Sequence, residues 1–187
     1  MRITAILTLL PLLASSAGCG EDEASTEFAG VYEIETWTKN DGSCDEEGPS
    51  ILEQQSQMMF FVRIESFLFS SYLRAQRCPN LSECQTRSAD PAMVVTGGWS
   101  FADGGDSNGW TSSSFFSEST DQCTGTFESA SLSSPSDGVL EIRIEQRTGV
   151  EFPLGPDGCD VERAAAAAED RPCVSLEVIR ATLSGSP

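Results

Sequence analysis

Seven cysteines and no histidine set the chemistry open to this 187-residue chain. Without an imidazole there is no Ser-His-Asp or Cys-His nucleophile system and no histidine-ligated zinc. Cys44, Cys78, Cys84, Cys123, Cys159 and Cys173 form no C-x-x-C pair, and Cys19 stands apart near the N-terminus. Six cysteines in an exported chain read as three disulfides. Joining the local partners as Cys78–Cys84 and Cys159–Cys173 leaves Cys44–Cys123 by elimination. Lys39 is the only lysine; it is the sole candidate for a Ser-Lys dyad and reads more simply as a surface residue. Carboxylates are so abundant that no acid–base pair stands out. Neither a catalytic residue nor a cofactor is expected, and the chain does not read as an enzyme; a small hydrolase is the remote alternative.

Oxygen ligands are the other resource. In "ADGGDSNGW", Asp103, Asp106 and Asn108 sit among glycines, a composition that calcium loops use. The spacing is not that of an EF-hand, and Asp, Asn and Gly are ordinary turn formers, so no metal site is expected. "NDGSCDEEG", with Asp41, Asp45, Glu46 and Glu47, reads as a solvated acidic loop held by Cys44. The formal net charge is −18, from 29 acids and 11 bases. Such a chain has no basic patch with which to neutralise phosphates, so nucleic acid is not expected as a partner. Electrostatic attachment to anionic lipid is disfavoured for the same reason.

The N-terminus suggests how an unpaired cysteine is used. Arg2 precedes an apolar run from Ile3 to Ala14, then Ser15, Ser16, Ala17 and Gly18 lead into Cys19. The run has the length of a signal-peptide core and is short of the roughly 20 residues a membrane span requires. Residues 1–20 resemble a bacterial lipoprotein signal, with Ser16 where such signals most often carry Leu. The resemblance implies a diacylglyceryl group on Cys19, cleavage after Gly18 and acylation of the new terminus. Multiple acyl chains hold a membrane stably where one does not. Gly20, in place of the aspartate that often marks inner-membrane retention, points toward the outer membrane. Residues 1–18 are thus expected to be a signal peptide, 19–27 a lipidated polar tether, and 28–187 a single β domain.

Within that domain, alternating polarity predicts strands with one buried face. "VYEIETWT" sets Tyr32 and Ile34 against Glu33 and Glu35. "MFFVRIESFLF" sets Phe60, Val62 and Ile64 against Arg63 and Glu65. "VLEIRIEQR" sets Leu140, Ile142 and Ile144 against four charges, and "VSLEVIR" sets Val174, Leu176 and Val178 on one side. Weaker strand signals lie in "SSYLRAQRC", "AMVVTGGWSF", "GWTSSSFFSES" and "TGTFESASLS". Asp137-Gly138 marks a tight hairpin. Ser50 with Glu53 makes a capping box. Asp160 caps "VERAAAAAED", whose alanines favour helix.

Eight strands in chain order place all six later cysteines in alternate connections, hence at one pole of an up-and-down meander. The expected fold is an all-β, eight-stranded antiparallel barrel with one or two short helices and disulfide-bonded loops. A β-sandwich is the alternative. Gly30-x-Tyr32 and the meander faintly resemble a lipocalin, a family that opens with Gly-x-Trp; the resemblance implies a barrel whose mouth is ringed by these loops. The leading expectation for function is therefore a cell-envelope lipoprotein binding a small apolar ligand inside the barrel. Tyr32, Phe60, Ile64, Trp99, Trp110 and Ile142 would line the site. The alternative is a filled barrel acting as an interaction module toward an envelope protein.

Overall fold

The computed structural model describes residues 28–67, 70–90, 98–106, 109–117, 121–156 and 158–186. Cys19, the expected signal and tether, and Asn108 lie outside the described residues. Nine strands follow in order: β1 (Gly30–Asn40), β2 (Met59–Phe67), β3 (Ser70–Cys78), β4 (Trp99–Phe101), β5 (Asp103–Asp106), β6 (Gly109–Ser117), β7 (Gln122–Ser136), β8 (Val139–Pro153) and β9 (Cys173–Gly185). They are joined by two short helices, α1 (Leu81–Ala89) and α2 (Val161–Ala168), and a 3-10 turn at Leu52–Gln54. Among the described residues no helix is long and apolar enough to cross a membrane.

The strands form one antiparallel sheet in the order β4-β3-β2-β1-β9-β8-β7-β6-β5. The sheet is open, with β4 and β5 at its two edges. It is neither a two-sheet sandwich nor, in its ladder, a closed eight-stranded ring. The count differs from eight because "ADGGD", expected to be a turn, is partly strand. Asp103 faces Thr111 and Asp106 faces Gly109, while Trp99–Phe101 pairs with β3 instead. Only Ala102 separates these two edge strands in the chain. Its N–H donates to the Thr111 carbonyl at 3.0 Å.

Local chemistry explains the connections. The β7–β8 turn is Asp137-Gly138, as expected; Gly138 takes φ +71, a left-handed conformation that favours glycine. Asp160 caps α2 by accepting from the Arg163 N–H at 2.8 Å. Asn80 does the same for α1, accepting from the Glu83 N–H at 2.9 Å. That helix follows the pattern Asn-x-x-Glu, a capping signature. Ser50 accepts from the Leu52 N–H at 3.3 Å, but only one 3-10 turn follows.

One face of the sheet carries the main core. Tyr32, Ile34, Phe60, Val62, Leu73, Phe101, Trp110, Leu132, Leu140 and Ile142 are buried there together, joined by Ile179 and Ala181 of β9. The β9 face is a correction to the expected pattern. Ile142 pairs with Ile179 and Leu140 with Ala181, whereas Val178 faces Arg143 and Leu176 faces Glu145. Leu176 and Val178 are buried, but on the opposite face. The run Val178-Ile179 is apolar on both sides of the strand, so alternation alone does not fix its orientation. In β1 the pairing shifts between Ile34 and Thr36. That bulge at Glu35 brings Trp37 onto the same face as Ile34.

Candidate functional site

The sequence-selected aromatics meet in the core cluster. Tyr32 stacks on Phe60 with ring centroids 5.6 Å apart. Phe60 meets Trp99 edge-on at 5.9 Å, and Trp99 meets Trp37 edge-on at 5.8 Å. Trp110 and Ile142 belong to the same cluster, with Trp99 partly buried against it. Ile64 shares the face, opposite Leu73, but is only half-buried. These side chains touch one another. Phe60, Leu73, Phe101, Leu132 and Ile142 are all 0% exposed, which leaves them no solvent-facing surface.

Polar groups sit at one end of this cluster. Arg77 places its guanidinium 5.3 Å from the Trp37 ring centroid and 6.0 Å from that of Trp99, within cation–π range. It also donates to Gln55 Oε1 at 3.2 Å. Trp37 Nε1 donates to Glu177 at 2.6 Å. Ile51 and Leu52, from the β1–β2 connection, pack against the cluster. The Tyr32 hydroxyl donates to the Phe28 carbonyl at 3.1 Å.

The opposite face of the sheet is covered in three places, and each cover has its own disulfide. Cys78–Cys84 anchors α1 over Val31 and Phe61, forming the expected pair. Cys123–Cys159 anchors α2, whose Ala164 and Ala168 pack on Phe127, Val150 and Phe152. Cys44–Cys173 anchors the loop after β1 to the start of β9. The expected Cys159–Cys173 and Cys44–Cys123 pairs are therefore not formed. Proximity in sequence misled here: α2 carries Cys159 over β7 and Cys123, while β9 returns beside β1, bringing Cys173 to Cys44. The third cover is polar. Arg143 donates to the Cys44 carbonyl at 3.2 Å. Arg180 grips both Glu47, in the loop, and Glu141 of β8. The Arg180 hydrogen bond holds the Glu47 carboxyl below its ordinary 4.5, against a smaller opposing effect of burial. Glu47 and Glu141 raise Arg180 in turn.

Of the three calcium candidates, Asn108 lies outside the described residues. Asp103 is exposed on β5. Asp106 ends that strand opposite Gly109. Among the described residues the only grouping with ligand spacing is Cys44, Glu145 and Cys173. Its sulfurs are bound to each other, so it offers no thiolate. Lys39 pairs with Asp41 at 3.0 Å.

Charge is divided unevenly along the molecule. The nine strands carry ten acids and seven bases. Among the described residues, the four connections at the disulfide-bearing end, drawn from 41–58, 79–90, 121 and 154–172, carry twelve acids and only Arg87, Arg163 and Arg171 as bases. At the same end a groove of about 840 Å³ is lined by Phe115, Phe116, Thr124, Gly125, Thr126 and Gly149. Phe116 is 61% exposed there, the largest exposure among the described bulky apolar residues. A smaller pocket includes Asp121, Glu151, Phe152 and Arg171. The weak strand signal of "GWTSSSFFSES" does not reveal this groove; Phe115, the neighbour of Phe116, is the one that packs, under α2. No family model, curated protein or solved structure matches this chain.

Proposed function

We propose that this chain is an exported bacterial cell-envelope protein, lipid-anchored through Cys19 on the outer rather than the inner membrane. Its domain acts as an interaction module. We also infer that the sheet wraps into an eight-stranded barrel with a filled interior, β4 and β5 being one strand bent at Ala102. Two observations support that wrapping: the edge strands are consecutive in the chain, and a single apolar cluster draws side chains from β1 to β4 and from β6 to β9. Three disulfides suit an oxidising compartment.

The observation that carries the interaction reading is the mutual packing of the residues that would otherwise line a ligand site. A carrier of small apolar molecules needs a cavity bordered by such groups. Here Tyr32, Phe60, Trp99 and Trp110 contact one another or the same cluster. The test is an apolar fluorescent probe added to the oxidised domain. No stoichiometric binding is expected. Saturable one-to-one binding, weakened by Ile142→Trp, would overturn the reading in favour of a ligand carrier. Anchoring is tested separately: mass spectrometry of the membrane fraction should find Cys19 acylated, and an unmodified Cys19 in the mature chain would refute it.

A further inference from the structure

We propose that reduction of the Cys44–Cys173 disulfide by a dithiol opens a zinc site, made of the two freed thiolates and the carboxylate of Glu145. The site is independent of the interaction reading above.

The donors are already gathered. Both sulfurs and a Glu145 carboxylate oxygen lie within 4.8 Å of one another. Zinc bonds thiolate sulfur at about 2.3 Å and carboxylate oxygen at about 2.0–2.2 Å, so donors this close can share one ion once the sulfurs part. The Ser175 carbonyl oxygen lies 3.3 Å from Cys44 Sγ and 3.5 Å from Cys173 Sγ, a further oxygen beside the pair. The carboxylate is also held from behind. Arg143 Nε donates to Glu145 Oε1 at 2.8 Å, and Arg147 lies 3.6 Å from Oε2. Outer partners of this kind orient a metal ligand. Their positive charge offsets the net negative charge that two thiolates and a carboxylate leave around a divalent ion. Arg143 further donates to the Cys44 carbonyl, which ties the ligand-bearing loop to β8. Thiolates with one carboxylate suit zinc better than calcium or magnesium, which take oxygen ligands.

This disulfide is also the one a reductant meets first. Cys44 and Cys173 are both half-buried. Cys78, Cys84 and Cys123 are 0% exposed, so each of the other two bonds has at least one sealed cysteine. Thiol–disulfide exchange requires a thiolate to reach a sulfur. The dithiol supplies two electrons and two protons, the Cys44–Cys173 S–S bond breaks to two thiols, and the dithiol closes to its own disulfide. Zinc then displaces the two thiol protons. The ion takes over the link between the loop after β1 and the start of β9 that reduction removes.

The experiment treats the oxidised domain with a mild dithiol until two thiols per chain are titrated, and identifies them by peptide mapping. The dithiol is then removed without air and cobalt(II) or zinc is added. The thiols are expected at Cys44 and Cys173, with one cobalt bound per domain, a thiolate-to-cobalt charge-transfer band, and displacement by zinc. Zinc should return the melting temperature of the reduced domain toward the oxidised value and leave the oxidised domain unchanged. Losing an outer partner alone costs a metal site about 10–100-fold in affinity. Glu145→Gln, which removes a direct ligand, should therefore weaken zinc binding by at least about tenfold while the oxidised variant still folds. Thiols appearing first at another pair, or at all pairs together, would overturn the proposal. So would freed thiols at Cys44 and Cys173 that bind no cobalt, equal zinc binding by the oxidised domain, or an affinity that Glu145→Gln leaves unchanged.

Discussion

The two faces of the sheet are stabilised differently. The inner face gathers side chains from β1 to β4 and from β6 to β9 into one cluster and contains no disulfide. The outer face is buried in separate patches under α1, α2 and the loop after β1, each held by one disulfide. Helices of nine and eight residues are too short to be stable alone. α2 offers mainly alanine to the sheet, so it buries little apolar area per turn. Covalent links supply what these small contacts lack. A large shared core needs no staple; small covers do.

The strongest way to break this contrast is Phe60→Ala. It removes a fully buried ring stacked on Tyr32 and edge-on to Trp99. The expected cost is about 3–5 kcal/mol, seen as a lower urea midpoint that is the same by tryptophan fluorescence and circular dichroism.

Paired cysteine-to-serine variants come next, at about 2–4 kcal/mol each. They should rank by the chain length they close: Cys44–Cys173, separated by 129 residues, above Cys123–Cys159 at 36 and Cys78–Cys84 at 6. Hydrogen exchange sharpens the comparison. Loss of Cys123–Cys159 should speed exchange in α2 far more than in the sheet, whereas Phe60→Ala should loosen the strands themselves. Equal effects everywhere would show that the covers and the core are one cooperative unit.

A smaller effect concerns Gln76, which is buried on the outer face with neither amide atom hydrogen-bonded. Gln76→Met keeps most of the volume and removes the unsatisfied groups. It should leave the melting temperature unchanged or raise it, by up to about 1–2 kcal/mol of stability. A clear loss would mean that the amide has a partner in solution.

The smallest effect is ionic. The carboxyl of Glu47 titrates below 4.5 when folded because Arg180 hydrogen-bonds it. Its contribution is complete above the unfolded value and is lost as pH falls through the folded one. Both side chains are more than a third exposed, so solvent and salt screening hold the effect under about 1 kcal/mol. Arg180→Gln should reduce the difference between urea midpoints at pH 7 and pH 3 by that amount.

Strand existence was legible wherever alternation was strict, as in β8, and so was the Asp137-Gly138 turn. So too were the Asp160 cap and the use of six cysteines in disulfides. Three features were not. The face of β9 depends on Val178-Ile179, apolar on both sides, and only pairing with β8 decides it. The break at Ala102 depends on β3 and β6 each taking part of one segment, a long-range competition invisible locally. Disulfide partners depend on where α2 lies and on β9 returning beside β1. For the candidate site, Tyr32, Phe60, Trp99 and Trp110 were legible as a cluster, but Phe115 and Phe116 were not told apart: they are adjacent and chemically identical, and only the fold sends one under a helix and the other to solvent.

The Cys44–Cys173 bond also governs how the domain carries a mechanical load. β1 and β9 are antiparallel neighbours, with Val31 beside Gly185 at one end and Asn40 beside Leu176 at the other. Tension between the two chain ends therefore unzips this ladder pair by pair from Val31 and Gly185, a geometry that yields at low force. The unzipping stops at the disulfide just past Asn40 and Leu176. Beyond that bond the force path is covalent, and everything from Asp45 to Pro172 lies in a closed loop that a pull on the termini does not load.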